Sequence, residues 1–156
     1  MRTQAEDSPH REVDDIWLRY RDLKEFDPQN PQAFAGQHES VWYDSIYSLP
    51  AVRIIANYIS AMIPNIELGG ILITRIPKGS QVYPHSDAGY WHSEYYDKKL
   101  LVLVESDEDQ LFCFENAEYK GKAGEVFEFD NRPTHWVINN SNKDRISLIF
   151  ATRIKP

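Results

Sequence analysis

The sequence predicts a mainly β protein with helices at its N-terminal end, built around a small antiparallel barrel or jelly roll of about eight strands. Three observations lead there. From Gly69 onward, short apolar or alternating segments follow one another closely, each bounded by a turn signal. Ahead of Gly69, two stretches carry apolar residues at helical spacing instead. No repeat, low-complexity tract or change of composition divides the chain. Residues 1–156 therefore read as one domain, with 1–68 as helical support and 69–154 as the β core.

The elements follow in order. Residues 12–25, EVDDIWLRYRDLKE, set Val13, Ile16, Trp17, Tyr20 and Leu23 on one helical face. DPQNPQ at 27–32 breaks that pattern with two prolines. SVWYDSIY at 40–47 is aromatic and ambiguous. Ser48 has the chemistry of a helix cap and Pro50 suits a first turn. Val52, Ile55, Ile59, Met62 and Ile63 form a second stripe, and Pro64 ends it.

GGILITRI is then a strand, and PKGS has proline and glycine where a turn wants them. QVYPHSD is a short extended segment, and KLLVLVE is a buried strand. QLFCFE and EVFEFD alternate, with a short piece at AEYK between them. THWVIN and RISLIFATR complete the set.

Composition narrows the function. The net charge of −7 argues against a broad nucleic-acid surface, although a local basic spot remains compatible with a small anion. Aromatic residues make up 13% and crowd into a few segments, which suggests pocket walls as well as core. The single cysteine, Cys113, reads as a buried small hydrophobe, and one cysteine forms no disulfide within the chain. The polar start lacks an apolar signal region, and no apolar run reaches membrane-spanning length. The expectation is a soluble cytoplasmic protein; its oligomeric state is left open.

Chemistry gathers in two segments. In QVYPHSDAGYWHS, His85 and Asp87 are two apart, so on a strand they project together, with Tyr83 before them on that face. An imidazole and a carboxylate side by side are two-thirds of a facial ligand set for iron. Alone, the pair is equally a surface pair or part of a turn. In NRPTHWVINNSNKDRISLIF, His135 opens an apolar strand, and Arg145 and Ser147 follow on one face of the next. An arginine fork matches a carboxylate. Taken singly, His135 is also a satisfied core histidine and Arg145 also a surface cation.

The two segments RIPKGSQVYPHSD and GEVFEFDNRPTHWVINNSNKDRISLIF resemble the non-haem Fe(II), 2-oxoglutarate-dependent oxygenases, in the aspartyl/asparaginyl β-hydroxylase-like branch that includes proline hydroxylases. The resemblance covers roughly residues 69–153 and implies a double-stranded β-helix of the jelly-roll, cupin-like kind. It implies His85, Asp87 and His135 as catalytic iron ligands. It implies Arg145 as the anchor of the distal carboxylate of 2-oxoglutarate, with Ser147 beside it. Lys98 and Lys99 are both candidates for a further basic residue. One departure stands out. The aspartyl hydroxylases proper have glycine where Asp87 stands, so a complete triad is favoured and transfer of their substrate is weakened.

The implied activity is hydroxylation of an unactivated C–H bond, with Fe(II), 2-oxoglutarate and O2 as cofactors and release of succinate and CO2. The implied substrate is an amino-acid side chain, free or in a polypeptide. Residues 88–99 read as a lid, with Tyr90, Trp91 and His92 as substrate-side candidates beside Tyr83. Trp42 and Tyr43 suit either a wall or the core, and His10 and His38 read as surface residues outside the barrel. Two other functions stand beside this one: a cupin-like metalloprotein that does not use 2-oxoglutarate, and a non-catalytic jelly-roll binding module.

Overall fold

A computed structural model describes residues 6–156. The stretch that spacing assigns to a first helix is instead a strand, β1 (Asp14–Arg21). The reason is a bulge. Trp17 pairs with Leu72 and Arg19 with Ile71, so one extra residue sits between them. The bulge carries Trp17 and Tyr20 to one side, their rings 4.8 Å apart, while Leu18 is fully buried in the cluster beneath the later helix. Residues three apart thus share a face, which imitates helical spacing. Ile16, assigned to the same stripe, is half exposed.

β2 (Ser40–Trp42) follows, then a 3₁₀ turn at Asp44–Ser48 that leads into α1 (Pro50–Met62). Ser48 does not cap this helix. Leu49 is the residue before it, with no side-chain cap bond, and Pro50 occupies the first turn. β3 (Ile66–Ile76), β4 (Gln81–His85), a single helical turn α2 (Trp91–Tyr95) and β5 (Lys98–Glu105) come next. β6 (Gln110–Phe114), β7 (Ala117–Lys120), β8 (Val126–Asp130), β9 (His135–Asn139) and β10 (Arg145–Ile154) complete the chain. All eight strands expected from the alternating segments are present. β1 and β2 bring the described total to ten.

The strands form two antiparallel sheets, one of six in the order β2-β1-β3-β10-β5-β8 and one of four in the order β4-β9-β6-β7. This is the double-stranded β-helix, or jelly roll. Strand alternation divides the core in two. Leu148 and Phe150 of β10, with Ile71 and Leu100, pack under Val52, Ala56 and Ile59 of α1. Leu101 and Leu103 of β5 face the other way, onto Phe112, Phe129 and Val137 between the sheets. Cys113 is buried, as its apolar neighbours suggest. Arg145, Ser147 and Ile149 have the opposite parity to Leu148 and Phe150, so they turn toward the space between the sheets. That parity positions the site. Among the described residues, no helix is long and apolar enough to cross a membrane.

Candidate metal centre and adjoining cavities

His85 ends β4 and His135 begins β9, and the two residues are direct partners in the antiparallel pairing of these strands. Their ring centroids lie 4.4 Å apart. Asp87, just past β4, completes a group whose potential ligand atoms all lie within 4.8 Å of one another. The register between β4 and β9 is irregular between Val82 and His85, and Pro84 falls inside it. Proline is tolerated there because β4 is an edge strand. The irregularity changes the face of Tyr83, whose hydroxyl donates to Glu12 and whose ring lies under the Arg11 guanidinium at 3.4 Å. Tyr83 therefore faces the N-terminal segment and does not share the face of His85 and Asp87.

Neighbouring backbone fixes both tautomers. His85 Nδ1 lies 2.8 Å from the Tyr83 carbonyl, and His135 Nδ1 lies 2.9 Å from the Pro133 carbonyl. A carbonyl oxygen only accepts, so each Nδ1 carries the proton and each Nε2 keeps its lone pair. Burial pushes the His135 pKa down to about 4, with the Pro133 carbonyl opposing and His85 and Lys99 adding to the shift. The ring is neutral at neutral pH, as a ligand must be. Burial alone would raise the Asp87 carboxyl. The charge and hydrogen bond of Lys99 outweigh it and hold the group well below the usual carboxylate range. Two neutral imidazoles and an ionised carboxylate are the donor set that suits a ferrous ion.

Lys99, not Lys98, enters this site. Its ammonium donates to Asp87, and it lines the cavity behind the three side chains. That cavity is about 50 Å³ and is lined also by Arg145, Ser147, Thr74, Phe112, Phe129 and Val137. Arg145 is 2% exposed, and its Nε and Nη1 have no hydrogen-bond partner among the described residues. Burial pushes its pKa down to about 10, so it remains charged at neutral pH. A buried guanidinium without a paired anion is costly unless a ligand satisfies it. A guanidinium with free donors in such a cavity has the chemistry to bind an anion.

His10, expected at the surface, is buried and lines the same cavity, its ring edge-on to His85 with centroids 4.6 Å apart. The segment before β1 runs along β4, where Tyr83 N–H donates to the Pro9 carbonyl at 2.8 Å and Gln81 N–H to Glu12 at 3.1 Å. A lone histidine in a polar segment carries no periodic signal of this placement. His38, also expected at the surface, is half-buried and stacked on His92 at 5.7 Å.

The lid candidates divide. Trp91 stacks on Tyr95 at 5.0 Å, and Tyr90 is 61% exposed at the rim. His92 turns inward and its Nε2 accepts from Gly70 N–H at 3.1 Å. Burial, with His38 and Lys99 adding to it, pushes the His92 pKa down to about 3. Tyr90 and His92 help to line a second cavity, of about 280 Å³, which meets the first at Lys99 and Ile149. Trp42 packs against the α1 cluster, and the Tyr43 hydroxyl donates to the Arg21 carbonyl.

The fold and this site define a jelly-roll protein with a His/Asp/His group that could hold a metal ion. Residues 47–153 match the aspartyl/asparaginyl beta-hydroxylase family, and the chain belongs to that family. Among solved structures, it resembles an oxidoreductase of the 2OG-Fe(II) oxygenase family from Burkholderia pseudomallei, with a TM-score of 0.64 at 13% identity, covering 97% of this chain and 73% of that one. A cupin domain from Bordetella pertussis Tohama I gives 0.44 at 15% identity, covering 58% of this chain and 92% of that one. A predicted oxalate decarboxylase from Thermotoga maritima gives 0.44 at 19% identity, covering 56% and 68%. No curated protein matches the chain significantly in sequence. Family and fold together are those of hydroxylase-type oxygenases.

Proposed function

We propose that the protein is an Fe(II)- and 2-oxoglutarate-dependent oxygenase that hydroxylates an unactivated C–H bond of an amino-acid side chain, free or in a polypeptide. The observation that carries this reading is the buried guanidinium of Arg145, two of whose nitrogens have no partner among the described residues, in a cavity also lined by His85 and His135, with Asp87 beside them. A ligand for that cavity needs a metal-binding group at one end and an anion at the other, which is the chemistry of a keto-diacid.

His85, Asp87 and His135 would hold the iron through two Nε2 atoms and a carboxylate. Iron so held supplies the oxidative step, in which substrate, O2 and 2-oxoglutarate give hydroxylated product, succinate and CO2. The carbonyls of Tyr83 and Pro133 keep the two rings oriented and in the required tautomer. Arg145 binds the distal carboxylate by charge-assisted hydrogen bonds, and the buried hydroxyl of Ser147 adds a donor beside it. Phe112, Phe129 and Val137 keep water from the co-substrate. The reactants are expected to be compact molecules or peptide segments, with no role for nucleic acid or membrane.

The test is anaerobic titration of the purified protein with Fe(II) or Mn(II) and 2-oxoglutarate, followed by succinate measurement in air. Metal binding that is lost in His135→Ala, together with metal-dependent 2-oxoglutarate binding, is expected. Metal binding without 2-oxoglutarate binding or turnover would replace this reading with a cupin-like metalloprotein. Binding of neither would leave a jelly-roll binding module.

A further inference from the structure

The second cavity lies where a substrate must approach, because it shares Lys99 and Ile149 with the cavity that holds the metal-binding residues. Its wall is assembled from six parts of the chain, Lys99 coming from β5. β1 contributes Trp17 and Tyr20, brought to one side by the bulge between Trp17 and Arg19. β3 contributes Gly70 and Leu72, β10 contributes Ile149 and Ala151, and the turn before β2 contributes Ala35. Tyr90, His92 and Ser93 close it from the lid.

The chemistry of this wall is one-sided. Among the described residues, Lys99 is the only charged one in this wall; its ammonium donates to Asp87, and a metal ion that takes over the carboxylate leaves it to the co-substrate cavity it also lines. Among the described residues, no carboxylate lines it to receive a cationic side chain. His92 is neutral, and its Nε2 is already occupied by Gly70 N–H. An ionised or strongly polar side chain entering here would lose its water and find too few partners. An apolar one would gain from the contact with Trp17, Tyr20, Leu72 and Ile149.

Space agrees with charge. The volume of about 280 Å³ lies near the lower limit of small-molecule pockets, roughly 300–1,000 Å³, and suits a single side chain. Room is left where the wall residues are small. A Cβ at Gly70 would stand 3.1 Å from Tyr20 and 3.2 Å from His92, so any side chain there would crowd the cavity.

We infer that the aromatic-walled cavity between Trp17, Tyr20, Leu72 and His92 selects a substrate with a neutral, apolar side chain, aliphatic or aromatic, and rejects carboxylate, amide and cationic ones. This rests on the oxygenase reading above and specifies what that site acts on.

The experiment uses the full chain with Fe(II) and 2-oxoglutarate, and a panel of free and N-acetylated, C-amidated amino acids. Leucine, isoleucine, phenylalanine and tryptophan represent the apolar class; aspartate, asparagine, lysine and arginine the polar one. Succinate above the substrate-free background and gain of one oxygen atom by mass are read together. The apolar class is expected to stimulate succinate release at least about tenfold over the polar class. Ala151→Leu, which narrows the cavity, should abolish that stimulation while Mn(II) and 2-oxoglutarate affinities change by less than about twofold. Leu72→Ala, which widens it, should shift preference toward the larger rings and serves if the first variant fails to fold.

Stimulation by the acidic, amide or basic members alone, with 2-oxoglutarate bound normally, overturns the inference and leaves the oxygenase reading intact. If 2-oxoglutarate does not bind, that reading fails instead. Thermal shifts with the same panel then test the cavity alone: a shift produced by apolar members and lost in Ala151→Leu supports it, and the absence of one overturns it.

Discussion

The ammonium of Lys99 lies against one carboxylate oxygen of Asp87, while the other oxygen stands 3.7 Å from His85 Nε2. A lysine thus supplies the charge that balances a carboxylate placed to bind a metal. A divalent ion held by His85, Asp87 and His135 would take over that role and release the lysine toward the co-substrate cavity it also lines.

The first prediction is that Lys99→Met destabilises protein stripped of metal by about 3 kcal/mol, because it leaves a buried carboxylate without its counter-charge. Both side chains are under a fifth exposed, so solvent screens the pair only weakly. Saturating Mn(II) should bring variant and wild type to within about 1 kcal/mol, since the ion replaces the lost charge. Urea unfolding with and without Mn(II) measures both numbers. A deficit of the same size in the two conditions would show that Lys99 does not share the carboxylate with a metal.

The second prediction concerns acid. His92 and His135 have folded pKa values pushed down to about 3 and about 4 from an ordinary 6.5, by burial first and then by neighbouring charges. Between those limits the unfolded chain binds protons that the folded chain refuses. Stability therefore rises with pH through this window and is fully present above about 6.5. Asp87 acts on the same side, because its depressed pKa contributes stability that is lost as pH falls below about 4. Denaturation midpoints should fall steadily from pH 7 to pH 4. His92→Gln, which cannot titrate, should flatten that slope by about one proton's worth. An unchanged slope in this variant would mean that His92 is not buried as a neutral ring.

These particulars also show where sequence reading succeeds and where it stops. The strands from Ile66 to Ile154 are legible because apolar alternation and turn residues agree there, and a strand whose one face is buried has little freedom of register. The same alternation sets Arg145 and Ser147 on the inner face of β10. It fails in β1, where a bulge makes Trp17 and Tyr20 neighbours on one face and so writes helical spacing into a strand. It fails again at Tyr83, where the irregular register of β4 turns the ring toward Glu12. Lys98 and Lys99 are indistinguishable locally, since both parities of KLLVLVE are apolar; only the pairing of β5 with β10 and β8 decides which one faces inward. His10 and His38 reach their places through contacts distant in sequence, which no local period records.

The last prediction separates the two ends of the inner cavity. Arg145 is almost wholly buried, and two of its guanidinium nitrogens lack a partner among the described residues, so the chain bears an uncompensated charge in its interior. Replacing even a paired set of buried ionic groups with apolar residues of similar volume is often neutral or stabilising, and a charge without a counter-ion has less attraction to lose. Arg145→Met should therefore raise the thermal midpoint, or leave it unchanged, even though it removes a fully buried side chain. Metal binding should change by less than about twofold, because Arg145 pairs with Ile76 beside Asn139, at the end of β9 away from His135. Affinity for 2-oxoglutarate should fall at least about a hundredfold, the scale of losing a charge-assisted, bidentate anchor. Arg145→Lys should recover only part of it, since an ammonium is a point charge and not a fork. Calorimetric titration with Mn(II), then with 2-oxoglutarate, reads the two affinities separately. Loss of metal and co-substrate together, or a large drop in stability in Arg145→Met, would mean that the guanidinium supports the barrel and does not wait for an anion.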